Sequence, residues 1–366
     1  MKLNKINMKN LGLTEKLIQK SKLYKDLFIG RISSQYKNLY KVITENGEFT
    51  AEISGKLRHS VSGLSEYPAV GDFIMVDRTD NSHGNGMIHH ILTRNSVFAR
   101  KVAGSKNDTQ VVATNIDTVF ICMSLNNDFN LRRLERYLSI AWDSGAIPVI
   151  VLTKSDLCKE LEIRLNEISS IAIGVDVLVT SSISDDGYQS LKRYLSSGKT
   201  AAFIGSSGVG KSTLINRLLG QSVLDTSEIR NDDKGRHTTT RRELIMLPDL
   251  GVVIDTPGMR ELGIISADLS KSFADIDELA SKCRFNDCTH KNEPNCAVQK
   301  AIKDGILSAE RLESYWKLKR ETKYEGLNSK MIEKEKINEM FSGMGGMKNA
   351  RKFLKEQQGK KSNREI

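Results

Sequence analysis

The stretch FIGSSGVGKST, Phe203 to Thr213, decides how the rest of the chain is read. Within it, GSSGVGKS from Gly205 to Ser212 fits the pattern G-x-x-x-x-G-K-[ST]. An apolar run, TAAFIG, precedes it, and KSTLINRLLG, with apolar residues at helical spacing, follows. That strand–loop–helix setting is what a phosphate-cradling loop needs. Gly205, Gly208 and Gly210 free the backbone to turn its N–H groups inward, across Ser206, Ser207 and Val209. The helix that opens at Lys211 adds the positive end of its dipole. Lys211 is placed to reach β- and γ-phosphates and Ser212 to ligate Mg²⁺, with Thr213 next in the first turn.

Working outward, VLTKSDL (Val151 to Leu157) lies about fifty residues before this loop. Within it Thr153, Lys154, Ser155 and Asp156 end the apolar run IPVIVLT. An aspartate in that place accepts two hydrogen bonds from N1–H and N2–H₂ of guanine, a pair of donors that adenine lacks. Lys154 covers the purine with its stem. Asn is the common residue where Thr153 stands. TSS, Thr180 to Ser182, either completes the base pocket with backbone N–H groups or simply caps a helix. After the loop comes DTPG, Asp255 to Gly258. Asp255 is placed to hold Mg²⁺ as a Walker-B carboxylate does, and the N–H of Gly258 to bond a γ-phosphate. Between them, GRHTTT (Gly235 to Thr240) offers threonines that ligate Mg²⁺ only when a γ-phosphate is present. Thr239 is the first choice and Thr238 the second. A Gln normally follows the DxxG glycine to orient water; here that residue is Met259.

Texture divides the chain further. Residues 27–100 hold five short β-type runs, LFIGRIS, LYKVIT, EFTAEIS, DFIMVDR and GMIHHILT, with an Asn-Gly pair of hairpin type in ENGEF. An oligonucleotide-binding barrel and an SH3-like barrel give nearly the same pattern. Residues 101–265 alternate strands with helices, which implies a mostly parallel sheet covered on both faces. Residues 266–316 read as helices around CRFNDCTHKNEPNC, which supplies Cys283, Cys288, His290 and Cys296. Three thiolates and an imidazole suit a closed, structural tetrahedral Zn²⁺ site. Cys158 stands apart as a small apolar residue. Residues 1–26 form an N-terminal extension and 317–366 a basic helical tail. From Trp316 onward there are 14 Lys/Arg against 7 Asp/Glu, within a net charge of +10 for all 366 residues. Such a tail fits a phosphate-rich partner or a solvated helix. No run of apolar residues is long enough for a membrane span, and MKLNKINMKN lacks an apolar signal core. A cytoplasmic monomer is the expectation.

The order is base motif, phosphate loop, switch threonines, then DTPG. This resembles a circularly permuted GTPase. With the barrel before it and the Cys/His cluster after it, the chain is similar to the ribosome small-subunit-dependent GTPase A family (RsgA, or YjeQ). The resemblance implies a fold of an N-terminal OB-fold β-barrel, a central α/β circularly permuted P-loop GTPase domain and a C-terminal helical zinc-binding domain. It implies GTP as substrate, GDP as product, Mg²⁺ with the nucleotide, and one structural Zn²⁺. It also supports His237, beside the switch threonines, as the group that positions water. The implied partner is the small ribosomal subunit and its rRNA, late in its maturation, with hydrolysis stimulated by the subunit. The alternative is a non-enzymatic RNA-binding module that GTP locks in one conformation. Lys56, Arg58 and His59 are placed in a candidate RNA-facing loop of the barrel. Because DTPG leads into the C-terminal region, contacts at Gly258 are expected to reposition the metal-bearing part.

Overall fold

The computed structural model describes residues 5–36, 39–82, 84–101, 109–181, 187–222, 224, 243–255, 269–291, 293–323, 331 and 334. The N-terminal extension is not a free arm. Met8, Leu11 and Leu17 are buried, and the short helix α1 (Glu15–Ser21) is capped by the Thr14 hydroxyl, which accepts from the Leu17 N–H.

The five β-type runs each form a strand: β1 (Phe28–Gln35), β2 (Tyr40–Thr44), β3 (Gly47–Ile53), β4 (Phe73–Val76) and β5 (Gly86–Ile91). They order as β1-β2-β3-β5-β4, and β4 closes back on β1. β3 and β5 run parallel; the other pairs are antiparallel. That closure, with helix α2 (Gly55–Ser60) between β3 and β4, is the OB arrangement and settles the choice of barrel. The β2–β3 turn differs in detail from the expectation. Thr44 pairs with Gly47, so Glu45 and Asn46 are the turn residues and Gly47 alone takes a positive φ of 133°. The position that requires glycine is therefore the one after the turn. Lys56, Arg58 and His59 also differ: they lie on α2, not in a loop, because the Ser54 hydroxyl accepts from the Leu57 N–H and starts a helix there.

A hairpin not foreseen from sequence follows, β6 (Val97–Lys101) with β7 (Thr109–Thr114). Then come β8 (Thr118–Ser124), α3 (Leu131–Ser144), β9 (Ile147–Thr153), α4 (Leu161–Ser169) and β10 (Asp176–Val179). The chain continues through α5 (Tyr188–Leu191), β11 (Thr200–Ile204), α6 (Lys211–Leu219), β12 (Glu243–Met246) and β13 (Val252–Asp255). Strands β10-β9-β8-β11-β13 are parallel, and β12 joins antiparallel at the edge. Every residue of β8 is buried, as a central strand covered on two faces demands. The side chains divide by parity. Ile121, Ile150, Leu152 and Ile204 join one apolar cluster with Leu134 of α3. Phe120, Val149, Val151 and Phe203 join another with Leu214 and Leu218 of α6.

Edge strand β12 also touches the barrel: Glu243 pairs with Ser34 of β1, so one sheet of eleven strands runs through both regions. Beside this seam Arg31 is fully buried. Its guanidinium donates to the carbonyls of Leu11, Gly71 (3.3 Å) and Asn115 (3.4 Å) and to the Thr200 hydroxyl (2.9 Å). Burial pulls it down to about 10, against the charges of Asp117 and Asp72, which favour the cation.

The C-terminal region holds α7 (Ala274–Ala280), α8 (Ala297–Lys303) and α9 (Ala309–Lys323). Phe273, Ile276, Leu312 and Tyr315 pack into the same cluster as the α3 face of the sheet. Most of the basic tail lies outside the described residues.

Candidate nucleotide site and metal centre

The predicted loops converge where the parallel strands end. The base motif leaves β9, the glycine-rich loop leaves β11, and Asp255 is the last residue of β13. These are the carboxyl ends of parallel strands in one sheet, with β8 between β9 and β11, and such ends are where open α/β sheets place their ligands. Order along the chain does not enter; only the spatial order of strands does.

Three glycines of the loop take positive φ: Gly205 at 147°, Gly208 at 71° and Gly210 at 101°. Gly205 has a second reason. A Cβ there would sit 2.4 Å from the carbonyl oxygen of Cys122 on β8. Ser207 and Gly208 are exposed at the loop's crest, whereas Val209 is buried and pins the loop to the core under α6. Lys211 opens α6 and folds back over the loop, its Nζ donating to the carbonyls of Gly205 (2.9 Å) and Ser206 (2.7 Å). Its ammonium is thus held over the loop. Ser212 and Thr213 follow, half-buried, in the first turn.

Thr153, the departure from the common Asn, spans the two motifs. Its hydroxyl donates to the Val209 carbonyl at 2.6 Å and so braces the base motif against the phosphate loop. Lys154 adopts φ 57°, a left-handed conformation that a non-glycine residue holds only when its surroundings enforce it. Ser155 to Leu157 form a single tight turn, and the Ser155 N–H donates to the Thr180 carbonyl at 3.2 Å. Asp156 accepts from the Ser181 hydroxyl at 2.6 Å. TSS therefore meets the base motif through the Ser181 side chain. Arg217, near the end of α6, donates to the Ser181 carbonyl at 3.2 Å and ties that loop to the phosphate-loop helix.

Asp255 is half-buried, and burial pushes its carboxyl up. The Lys211 charge opposes the shift and the Glu243 charge adds to it. A carboxylate so placed gains from any cation that enters. Sequence reasoning missed Asp128. It follows β8, accepts from the Ser206 hydroxyl, and takes a two-oxygen contact from Arg133 at 2.8 Å. Burial works to raise its carboxyl, but the bonds from Ser206 and Arg133, with the charges of Arg133 and Lys154, outweigh it and hold it below the usual aspartate value. Nothing local in the sequence marks it, since Ser206 is 78 residues away. His237, Thr238, Thr239, Gly258 and Ser182 lie outside the described residues.

The predicted metal ligands are brought together. One ligand atom from each of Cys283, Cys288, His290 and Cys296 lies within 4.8 Å of all the others. A tetrahedral zinc with Zn–S bonds near 2.3 Å requires sulfurs about 3.8 Å apart. The Cys283 and Cys296 sulfurs are 3.9 Å apart, and each is 3.6 Å from Nδ1 of His290. His290 and Asn295 both take left-handed φ (61° and 59°) to curl the loop inward, and Gln299 holds the His290 carbonyl at 2.6 Å. Without a cation the thiols resist ionising together. Cys288 is pushed up to about 11 by burial and by its cysteine neighbours, against a backbone bond from His290. For Cys283, burial is overcome by the Val298 and Ala297 N–H groups, which hold the thiol below its usual value. The donor set and spacing fit a metal ion.

Residues 91–265 match the sequence profile of a family described as RsgA GTPase. The chain is 51% identical over 344 residues to the small ribosomal subunit biogenesis GTPase RsgA 2 of Lactiplantibacillus plantarum, covering 94% of this chain and 97% of that one. It is 44% identical over 338 residues to the small ribosomal subunit biogenesis GTPase RsgA of Methanosarcina acetivorans, with 90% of each covered. Among solved structures it resembles YjeQ from Thermotoga maritima (TM-score 0.60, 27% identity, 81% of this chain and 98% of that one). It likewise resembles YloQ, a circularly permuted GTPase (TM-score 0.58, 25% identity, 82% and 96%). With the loops meeting in permuted order between a five-stranded barrel and a Cys/His cluster, the chain belongs to the RsgA GTPase family.

Proposed function

We propose that this chain, a GTP hydrolase, binds the small ribosomal subunit through its rRNA and acts in late maturation of that subunit, which stimulates its turnover. The observation that carries the reading is the meeting of three motifs at the ends of β9, β11 and β13, in the order of a permuted GTPase. The names of its curated relatives supply the subunit.

In this reading Asp156, already oriented by Ser181, accepts the guanine N–H groups, and Lys154 lies over the ring. Backbone N–H groups from Gly205 to Lys211 grip the phosphates. Lys211 exchanges the Gly205 and Ser206 carbonyls for phosphate oxygens. Ser212 and Asp255 are the residues that would hold Mg²⁺, which supplies positive charge against the charge developing on the transferred phosphoryl group. Thr239, with Gly258, would sense the γ-phosphate. His237 takes the place of the absent Gln, since Met259 cannot orient water. Cys283, Cys288, His290 and Cys296 would hold Zn²⁺ in a closed set with no position left for substrate, which makes that site structural.

For rRNA, exposed Lys56, Arg58 and His59 on α2 project from the barrel, and the basic tail adds phosphate contacts whose strength falls with salt. No helix among the described residues is long and apolar enough to cross a membrane. A cytoplasmic monomer is the form in which we propose that it works.

The test is multiple-turnover phosphate release with and without purified small subunits, paired with co-sedimentation in GDP and in a non-hydrolysable GTP analogue. Stimulated release and tighter sedimentation with the analogue are expected. Nucleotide-dependent sedimentation without turnover would instead favour the conformational-lock reading, which Met259 motivates.

A further inference from the structure

Outside the motifs, a chain of charged side chains runs along α3, with Glu135 and Arg311 its buried members. At its start, Asp128 holds Ser206 of the phosphate loop and is itself held by Arg133 in the first turn of α3. Further along the same helix, Glu135 is 1% exposed. It accepts from Arg132 (3.0 and 2.9 Å) and from Arg311 of α9 (2.9 Å). Arg311, 4% exposed, also grips Asp275 with two bonds (2.6 and 2.7 Å) and the Ser272 carbonyl (3.0 Å), and its plane lies over Phe273 at 5.0 Å. Near the far end of α3, Lys271 sits over the Trp142 ring at 5.6 Å. One rigid helix therefore carries the phosphate loop at its start and the metal-bearing region along its length.

We propose that Asp128 is a positioning residue of the nucleotide site and that α3 couples this site to the C-terminal region through Glu135 and Arg311. This rests on the nucleotide-site reading above. It is a route distinct from DTPG, since it leaves β8 rather than β13. The physical reason is charge. Nucleotide phosphates arriving at the loop bring negative charge toward the Asp128 carboxylate, which also feels Lys154. The Ser206–Asp128 bond must then readjust, and Arg133 transmits the change to the first turn of α3. Glu135 cannot follow freely. It is desolvated, and losing Arg311 would leave this buried carboxylate with Arg132 as its cation, so the two keep their geometry and the load passes to α9. Coupling of this kind is reciprocal: what α9 does to α3 alters the nucleotide affinity by the same factor.

A double-mutant cycle on the full chain tests it, with GDP as the probe and the dissociation constant read by calorimetry. Wild-type affinity is measured first; failure to bind GDP would sink the nucleotide site itself, and this proposal with it. Ser206→Ala is expected to weaken GDP about five- to tenfold and Glu135→Gln about three- to fivefold. The double variant should be no weaker than the poorer single one, because both cut the same path. Independent sites multiply to within about a factor of two. A double variant at the product of the single effects, or a Glu135→Gln variant that binds GDP like wild type, overturns the coupling. Should Glu135→Gln fold poorly, hydrogen exchange of residues 309–323 decides. GDP should change it at least threefold in wild type and leave it unchanged in Ser206→Ala. No GDP effect in wild type, or one retained in Ser206→Ala, overturns the proposal.

Discussion

The phosphate loop and the Cys/His cluster are both loops shaped to accept a charged guest, yet they are built by opposite means. The first is held by backbone. Glycines at positive φ, a buried Val209 and a Thr153 hydroxyl fix it between β8, β9 and β11, on a core that exists without any ligand. The second is held by side chains. Between the short helices α7 and α8 the described residues from Cys283 to Cys296 are irregular, and four donor groups crowd together, three of them thiols whose charges, once ionised, oppose closure. A loop on a finished core waits for its ligand in nearly the right shape; a loop closed by its ligand owes that shape to it.

Removing the metal should break the comparison most sharply. Chelation, or Cys296→Ser, is expected to take away on the order of 10 kcal/mol of metal-linked folding energy. The amides of residues 269–323 should then exchange freely, while GDP affinity weakens by no more than about tenfold. Equal loss at both sites would show that the two are not separately built.

Next in size is Asp255→Asn, which should cut hydrolysis by roughly 10²-fold or more, since several kcal/mol of charge stabilisation is lost. The nucleotide-free protein should nevertheless melt at a higher temperature at pH 7. Burial raises this carboxyl. Its stabilising contribution is therefore complete below the unfolded aspartate value, about 4, and is lost as pH rises through the raised value. The gain in melting temperature should vanish in acid, and scanning calorimetry at several pH values reads this directly.

Asp156→Asn sharpens the side-chain half of the nucleotide site. It should shift preference from GTP to xanthosine triphosphate by about 10²-fold, as one exchanged donor–acceptor pair does. Competition binding measures it, and unchanged selectivity would remove Asp156 from base recognition. Gly205→Ala probes the backbone half. With Cys122 O only 2.4 Å from the new Cβ, we expect a loss of about 1–3 kcal/mol in urea unfolding.

The smallest effect belongs to Asp128. Ser206 and Arg133 hold its carboxyl low despite burial, so its contribution is present above the ordinary aspartate range and lost as pH falls through the lowered value. Asp128→Asn should flatten the acid limb of the stability curve below about pH 4. An unchanged limb would mean that these bonds do not hold in solution.

The contrast also explains what was legible. Chemistry written in consecutive residues was the part that sequence alone could propose: GSSGVGKS, TKSD, DTPG and the spaced cysteines, of which DTPG is described only at Asp255. The barrel strands, whose apolar periods are local, could be read as well. Which barrel they form was not local, because it depends on β3 meeting β5 in parallel. The β6–β7 hairpin escaped because VFARK is short and carries two cations. The α2 helix escaped although its Ser54 cap was readable. Asp128 was hidden because it acts on a residue far away in sequence; TSS was singled out, but for its backbone N–H groups, and the Ser181 side-chain bond to Asp156 across 25 residues was not read. The roles of His237, Thr239 and Gly258 rest on sequence and resemblance alone.

Arg31 carries a consequence for how the chain is made. Its partners arrive at very different times: Leu11 leaves the ribosome before it, Gly71 soon after, and Thr200 only 169 residues later. At about 5–20 residues per second, the barrel waits roughly ten to thirty seconds for that last hydroxyl. Until then a guanidinium sits at an unfinished seam with a donor unsatisfied, which favours keeping the barrel's inner edge wet and open. Vectorial synthesis thus gives the first-made domain a reason to delay closing until the later one is there to receive it.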